Sequence, residues 1–268
     1  MRGPLWVVAA VLGATVGVVL PSTTAQTPRA LVSIRPQSAT VLEPARAARP
    51  LAGIVIALDP GHQLGNHNFL SQINRQVPAG GFTKPCNTTG TATNAGYPEA
   101  TNNWRIANLM KSRLQALGAT VALTRTTNSQ QHWGPCVDVR GRFGKRVGAR
   151  LMVSLHADGA PANDLGFHVI APTNRKPWTS DIAVPSLRLA KQLRLGMLGA
   201  KLPQSTYIKG GLDIRSDLGT LNLSDVPVAM VEIGNMRNRS DAARMTSYRG
   251  RVRYANALVN GIRRYLNR

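Results

Sequence analysis

Residues 54–62 read Ile-Val-Ile-Ala-Leu-Asp-Pro-Gly-His, a short apolar run that stops at an acid and two turn-forming residues. The β-branched and apolar positions predict a buried strand. Pro60 and Gly61 are poor strand residues, so we expect the chain to turn after Asp59 and to place the His62 imidazole at the carboxyl end of a sheet. Open α/β folds keep their sites at that edge. His62 is therefore a candidate metal ligand, although a lone histidine can also simply cap a strand.

Two later stretches have the same build. Residues 151–158, Leu-Met-Val-Ser-Leu-His-Ala-Asp, carry His156 at the end of an apolar strand, and residues 228–235, Val-Ala-Met-Val-Glu-Ile-Gly-Asn, carry Glu232. A lone charge inside an apolar strand is costly to bury. Glu232 therefore has either a role in a site or a buried arginine partner.

The remaining elements alternate between helix and strand. Glu99 opens a helical pattern that continues to Leu117, and its place in the first turn suits the positive end of the helix dipole, which is sufficient to explain an acid there. Further patterns predict a strand over 119–125 and helices near 137–149, from 181 to about 199 and over about 248–266. This order predicts a single α/β domain whose largely parallel, mixed β-sheet is flanked by helices on both faces.

Two irregular stretches separate these elements. Gln63–Tyr97, rich in Asn, Gly, Thr, Ser and Pro, is long enough to indicate a functional loop near the site, and Lys209–Asp225 is predicted as a glycine-rich loop. We expect His67 and His132, which lie in loops, at the surface or just behind the site. His168 falls in a strand pattern and is predicted to pack or to lie at an edge.

The N-terminus has the layout of a secretory signal peptide. Arg2 precedes an apolar segment over 5–20, and small residues follow up to Ala25. We place a signal peptide over 1–25, a flexible basic leader over 26–50 and one domain over 51–268. The leader is either a simple spacer or a basic arm that contacts the cell wall. Because the apolar run is shorter than the roughly 20 residues of a spanning helix, we expect no membrane span after cleavage. The predicted protein is secreted to the periplasm or cell wall and monomeric.

The chain contains two cysteines, Cys86 and Cys136, both in predicted loops. In an exported protein this pattern indicates a disulfide, which would tie together two loops beside the site. Zinc ligation is the alternative, but two isolated thiols lack the short spacing of zinc ligands.

The formal charge is +21, from 33 Lys and Arg against 12 Asp and Glu, so the protein should attract polyanions. Nucleic acid is one candidate, but aromatic residues make up only 5% and no nucleic-acid-binding motif occurs. Anionic wall polymers fit an exported protein better. Arg142, Arg146 and Arg150 are predicted to share one face of the second helix, as a solvated face or a patch that contacts the wall.

In their order, these stretches resemble the zinc-dependent N-acetylmuramoyl-L-alanine amidases of the amidase type 3 family. The resemblance rests on a strand ending in Asp-Pro-Gly-His at 59–62, Glu99 at a helix start with Asn103 one turn on, Ser-Leu-His-Ala-Asp at 154–158, and Val-Glu-Ile-Gly at 231–234 followed by Asn238. Four ordered motifs over residues 54–268 are far more specific than any one of them.

The resemblance implies His62, Glu99 and His156 as Zn²⁺ ligands and Glu232 as the catalytic carboxylate. A zinc-bound water would attack the amide between N-acetylmuramic acid and L-alanine, with Glu232 as general base and then acid. The implied substrate is peptidoglycan or its muramyl peptide fragments. Two alternatives stay open, a zinc peptidase acting within the stem peptide and a noncatalytic wall-binding protein.

Overall fold

The computed structural model describes residue 17 and residues 49–268. Apart from Gly17, the predicted signal peptide lies outside the described residues, as do residues 26–48 of the leader. Residues 49–268 belong to one compact unit. None of the described helices combines the length and the apolar character needed to cross a membrane.

Within residues 49–268 the chain forms eight strands and seven α-helices. The strands are β1 Val55–Pro60, β2 Gln76–Pro78, β3 Thr83–Pro85, β4 Thr120–Leu123, β5 Leu151–Asp158, β6 His168–Pro172, β7 Leu212–Arg215 and β8 Val228–Asn235. The helices are α1 Leu70–Asn74, α2 Glu99–Ala116, α3 Val137–Arg146, α4 Ala183–Gly199, α5 Gly219–Asn222, α6 Arg239–Thr246 and α7 Tyr248–Leu266.

Six of the strands form one sheet in the order β4-β1-β5-β8-β6-β7. The pairs β4–β1, β1–β5, β5–β8 and β6–β7 are parallel, and only β6–β8 is antiparallel. The predicted α/β class with a largely parallel, mixed sheet is confirmed. Because β1, β5 and β8 are adjacent and parallel, their carboxyl ends meet at one edge of the sheet.

Alternating side chains of the strands divide the core into two layers. Ile56 and Leu58 of β1 pack in the larger cluster with α2, α4 and α7. Ala57 points to the other face, where Phe143 of α3 and Leu221 of α5 cover the sheet. Helices therefore cover both faces, as the alternation of strand and helix patterns predicts.

A close crossing joins α4 to α7. A Cβ atom on Gly196 would lie 2.3 Å from the Ala257 carbonyl oxygen, and one on Gly261 would lie 2.7 Å from the Leu193 Cα. Glycine at both positions lets the two backbones approach to a distance that a larger residue would prevent.

The first strand corrects one prediction, because it continues through Pro60 instead of ending at Asp59. Pro60 pairs with Leu155 of β5, whereas the β1–β4 pairing has already ended at Leu58 and Leu123. A proline is tolerated at this position because the neighbouring strand no longer requires an N–H donor on that side.

The two predicted loops also contain regular structure. Gln63–Tyr97 holds a 3₁₀ turn, α1 and the β2–β3 hairpin, whose turn contains Gly80 and Gly81 at positive φ. Lys209–Asp225 holds β7 and α5. These elements are three to five residues long, too short to show a periodic pattern. The helix α6 was not predicted, and α3 ends at Arg146, so Arg150 lies beyond it.

Candidate active site

His62, Glu99 and His156 meet at the carboxyl edge of the sheet. Glu99 Oε1 lies 3.4 Å from His62 Nε2 and 3.1 Å from His156 Nδ1. One ligand atom from each residue lies within 4.8 Å of the other two. Two imidazole nitrogens and a carboxylate oxygen at this separation can share one divalent ion.

The fold explains why three distant residues converge. β1 and β5 are neighbours in register, with Asp59 opposite Ser154, so the turn after β1 and the end of β5 adjoin. The first turn of α2 reaches the same edge with Glu99, whose side chain is buried. Asn103, one turn later, donates from Nδ2 to Glu99 Oε1 at 3.1 Å and to the Gly61 carbonyl at 2.7 Å. These two hydrogen bonds hold the start of α2 against the turn after β1.

Two glycines leave the space in which the three side chains meet. A Cβ on Gly61 would lie 2.1 Å from His156 Cε1. One on Gly90, which has φ +76°, would lie 2.8 Å from both Glu99 Oε2 and His62 Cδ2. The backbone therefore forms a cradle that any larger residue would fill, and this cradle together with the donor set fits a small metal ion.

The charges of the trio depend on one another. Burial acts to lower the pKa of His62, but the Glu99 carboxylate and its hydrogen bond raise that pKa above 6.5. Burial acts to raise the pKa of Glu99, and the two histidines hold it well below 4.5. Glu99 is thus an anion between two imidazoles, which is the charge state in which a carboxylate binds a metal cation.

Asn87 orients His62 and was not predicted from the sequence. Its Oδ1 lies 2.8 Å from His62 Nδ1, and its Nδ2 donates to the Pro135 carbonyl at 2.7 Å. A bond at Nδ1 fixes the ring so that Nε2 faces Glu99, the second-sphere arrangement usual for metal-binding histidines. Cys86 directly precedes Asn87 in the chain, and Cys136 directly follows Pro135. These two cysteines form a disulfide. The bond therefore joins the two loops whose contact holds the histidine.

A buried ion pair below the trio supports the β1 turn. Asp59 is fully buried and accepts hydrogen bonds from Arg140 Nη1 at 2.5 Å, Thr124 Oγ1 at 2.6 Å and Ser154 Oγ at 2.7 Å. Burial acts to raise the pKa of Asp59, but Arg140 and the two hydroxyls bring it below 3.8. Nearby, Arg125 donates to the Pro60 carbonyl at 2.7 Å, and burial followed by repulsion from Arg140 lowers the pKa of Arg125 to about 9. Neither arginine was predicted as a site residue, because no sequence motif distinguishes these two among the 33 lysines and arginines of the chain.

Glu232 faces the same cavity as the trio. It is the register partner of His156 across the β5–β8 pair, so the two side chains leave the sheet on one face. Both residues, with His62 and Glu99, line a cavity of about 340 Å³. Glu232 Oε2 is buried and has no hydrogen-bond partner among the described residues. Burial, and then the Asp158 carboxylate, raise the pKa of Glu232 well above 4.5.

The remaining histidines take different places. His168 is buried in β6 as the register partner of Glu232, with Nδ1 3.5 Å from Asp158 Oδ2, and Tyr207 donates to the same Asp158 oxygen at 2.6 Å. It therefore packs inside the sheet and not at an edge. His67 and His132 are exposed, as the sequence predicts for loop residues.

The chain is similar to several known proteins. A family model described as N-acetylmuramoyl-L-alanine amidase (Amidase_3) matches residues 56–264. The N-acetylmuramoyl-L-alanine amidase Rv3717 of Mycobacterium tuberculosis is 41% identical over 240 residues, which are 88% of this chain and 97% of that protein.

Two solved structures are also similar. The N-acetylmuramyl-L-alanine amidase Ami1 of Mycobacterium smegmatis superposes with a TM-score of 0.76 at 40% identity, covering 81% of this chain and 98% of that one. The apo form of Ami1 from Mycobacterium abscessus gives a TM-score of 0.75 at 45% identity, covering 81% of this chain and all of that one (100%).

Proposed function

The chain belongs to the N-acetylmuramoyl-L-alanine amidase family, and from this premise we propose that it is a zinc enzyme with His62, Glu99 and His156 as ligands and Glu232 as the catalytic carboxylate. It is an amidase whose substrate is peptidoglycan. The proposed scissile bond is the amide between N-acetylmuramic acid and the L-alanine of the stem peptide.

One observation carries the proposal: three potential ligand atoms lie within 4.8 Å of one another at the wall of a cavity that a further carboxylate also lines. Two histidines and one glutamate are the ligand set of several catalytic zinc sites. Zinc bound there would polarise the scissile carbonyl and make hydroxide available near neutral pH.

Glu232 would move the proton in this reaction. A half-buried carboxylate whose pKa lies well above 4.5 accepts a proton readily near neutral pH. We assign it to take a proton from the attacking water and to deliver that proton to the nitrogen of the departing L-alanine, so that the amine leaves neutral. Glu232 Oε2, which lacks a described partner, is the free acceptor atom for this transfer.

The placement of the protein is part of the proposal. A signal peptide over 1–25, a basic leader over 26–50 and a catalytic domain over 51–268 would bring a monomeric amidase to the periplasm or cell wall. The charge of +21 supports attraction to anionic wall polymers.

Product analysis tests the function. Purified protein incubated with a muramyl peptide should release a free L-alanine amino terminus and an intact sugar, detected by mass spectrometry, and a chelator should abolish the release. Cleavage within the stem would instead favour a zinc peptidase, and absence of any product from metal-loaded protein would favour a noncatalytic wall-binding protein.

A further inference from the structure

A second surface lies on the other face of the sheet from the active-site cavity. Between α4 and α7 runs a groove of about 670 Å³, whose floor includes Gly196, Gly199 and Ala200. Its walls carry the arginines Arg249, Arg253, Arg263, Arg264 and Arg268, and we call it the arginine groove. The active-site cavity is lined instead from α3, α5, the carboxyl ends of the strands, the segment 84–91 and Glu99 at the start of α2.

The charge of this surface has one sign. α4 and α7 contain no aspartate or glutamate, and in α2 the single acid is Glu99, which belongs to the active site. Among the described residues none of the five arginines has an ion-pair partner. Arg263 Nε is moreover buried without a hydrogen-bond partner within residues 49–268. A concave surface with uncompensated positive charge is a site for an anion.

The shape of the surface favours an extended occupant. The arginine groove adjoins a second cavity of about 360 Å³, which reaches Arg113 of α2, and both are lined by Asn256 and Asn260. A small anion would fill only part of this path. A polymer could follow it from α4, across α7, to α2.

The side chains indicate which polymer. All the cations of the arginine groove are guanidinium groups, which pair with phosphate through two parallel hydrogen bonds. No aromatic residue lines the groove, so bases of a nucleic acid would find no stacking partner there. Leu195, 40% exposed, is its one large exposed hydrophobic residue, too little apolar surface for insertion into a lipid bilayer.

We propose that the arginine groove binds a phosphodiester-linked wall polymer that carries no bases. This rests on the proposed function in one respect, the location of the protein at the wall, and not on the metal or on Glu232. Since the arginine groove and the active-site cavity lie on different faces of the sheet, a polymer held by α4 and α7 leaves the cavity open to the peptidoglycan beside it. The chain would thus be anchored by its catalytic domain.

Two charge-matched triple variants test the proposal. The first, R249Q/R264Q/R268Q, removes three exposed arginines of the arginine groove, and the second, R142Q/R146Q/R150Q, removes three exposed arginines from the α3 side. Each lowers the formal charge from +21 to 21 − 3 = +18. Binding of a synthetic poly(glycerol phosphate) is measured by fluorescence anisotropy, beside an oligothymidylate with the same number of phosphates and phosphatidylglycerol vesicles.

We expect the first triple variant to bind poly(glycerol phosphate) about tenfold more weakly and the second to stay within about twofold of the unmodified protein. Equal losses in both variants would show attraction by net charge alone and overturn the proposal. Tighter binding of oligothymidylate or of vesicles than of poly(glycerol phosphate) would also overturn it, in favour of nucleic acid or membrane. Turnover of a small muramyl peptide, measured in parallel, should be equal in all three proteins, so a failure of the proposed function appears separately.

Discussion

The active-site cavity and the arginine groove use charge in opposite ways. In the cavity single charged groups are fixed by buried partners, as Glu99 is by two histidines and Asn103. In the arginine groove several like charges stand together, and none has an acid partner among residues 49–268. The buried pairs of the cavity fix the positions of individual atoms, whereas the arginines of the groove together create a positive electrostatic potential over a surface.

The two regions are therefore expected to respond differently to substitution of their side chains. Replacing one side chain of the cavity should abolish activity, because the hydrogen-bond partners of that side chain are left buried and unpaired. Removal of one arginine from the groove should weaken binding by a modest factor, because exposed charges contribute little individually.

The largest effect is expected for His62→Ala. Loss of one of three ligands should remove zinc and activity together, with turnover below detection. Metal content by plasma mass spectrometry and release of L-alanine-terminated peptide measure the two. The exposed His67 gives the matched control, since His67→Ala should keep both. A His62→Ala protein that retained zinc and turnover would contradict the ligand assignment.

Glu232→Gln should separate chemistry from metal binding. The amide keeps the size of the side chain but cannot accept a proton, so kcat should fall by about a hundred- to ten-thousandfold while zinc content stays unchanged. The exposed Asp217 gives a matched control, because Asp217→Asn makes the same chemical change away from the cavity. Normal turnover by Glu232→Gln would remove this residue from the mechanism.

Asp59→Asn should show how strongly the cavity depends on paired charge. It leaves Arg140 buried without its acid and should lower the free energy of unfolding at pH 7 by about 3–5 kcal/mol, measured by urea denaturation. Because the folded pKa of Asp59 lies below its unfolded value of 3.8, the contribution of the carboxylate is complete above that value and is lost as the pH falls through the folded pKa. The difference between the two proteins should therefore shrink below about pH 4. A difference that did not depend on pH would point to packing instead of charge.

Gly196→Ala tests the floor of the arginine groove. The new methyl group would lie 2.3 Å from the Ala257 carbonyl, so α4 and α7 must separate, at a cost of about 1–3 kcal/mol in unfolding free energy. Gly199, one turn later in α4, has open space around it, and Gly199→Ala should change stability by less than about 1 kcal/mol. Equal stabilities of the two variants in thermal unfolding would argue against the close crossing.

The sequence predicts the cavity better than the groove. β5, β8 and α7 have the predicted bounds, because each is a long element with a clear pattern and a neighbour that buries it. The site histidines follow directly from strands that end at one edge. Asn87 could not be predicted, since its role depends on a contact between two loops that only the folded chain brings together. The total charge likewise does not reveal that five arginines of α7 and the adjoining C-terminus meet beside α4.

The smallest effect on turnover is expected from a change in salt concentration. Charges at the surface are screened over about 8–10 Å at physiological ionic strength, whereas hydrogen-bonded pairs in the cavity exclude the screening ions. Raising the salt concentration from about 0.05 to 0.5 M should therefore reduce turnover of phosphate-bearing cell walls several-fold and change turnover of a soluble muramyl peptide less than about twofold. Dye release from labelled walls and mass spectrometry of the peptide give the two rates. Walls stripped of phosphate polymers are the control, because their turnover should lose the extra salt dependence. If stripped and intact walls responded alike, the field of the arginine groove would not contribute to the encounter with the wall.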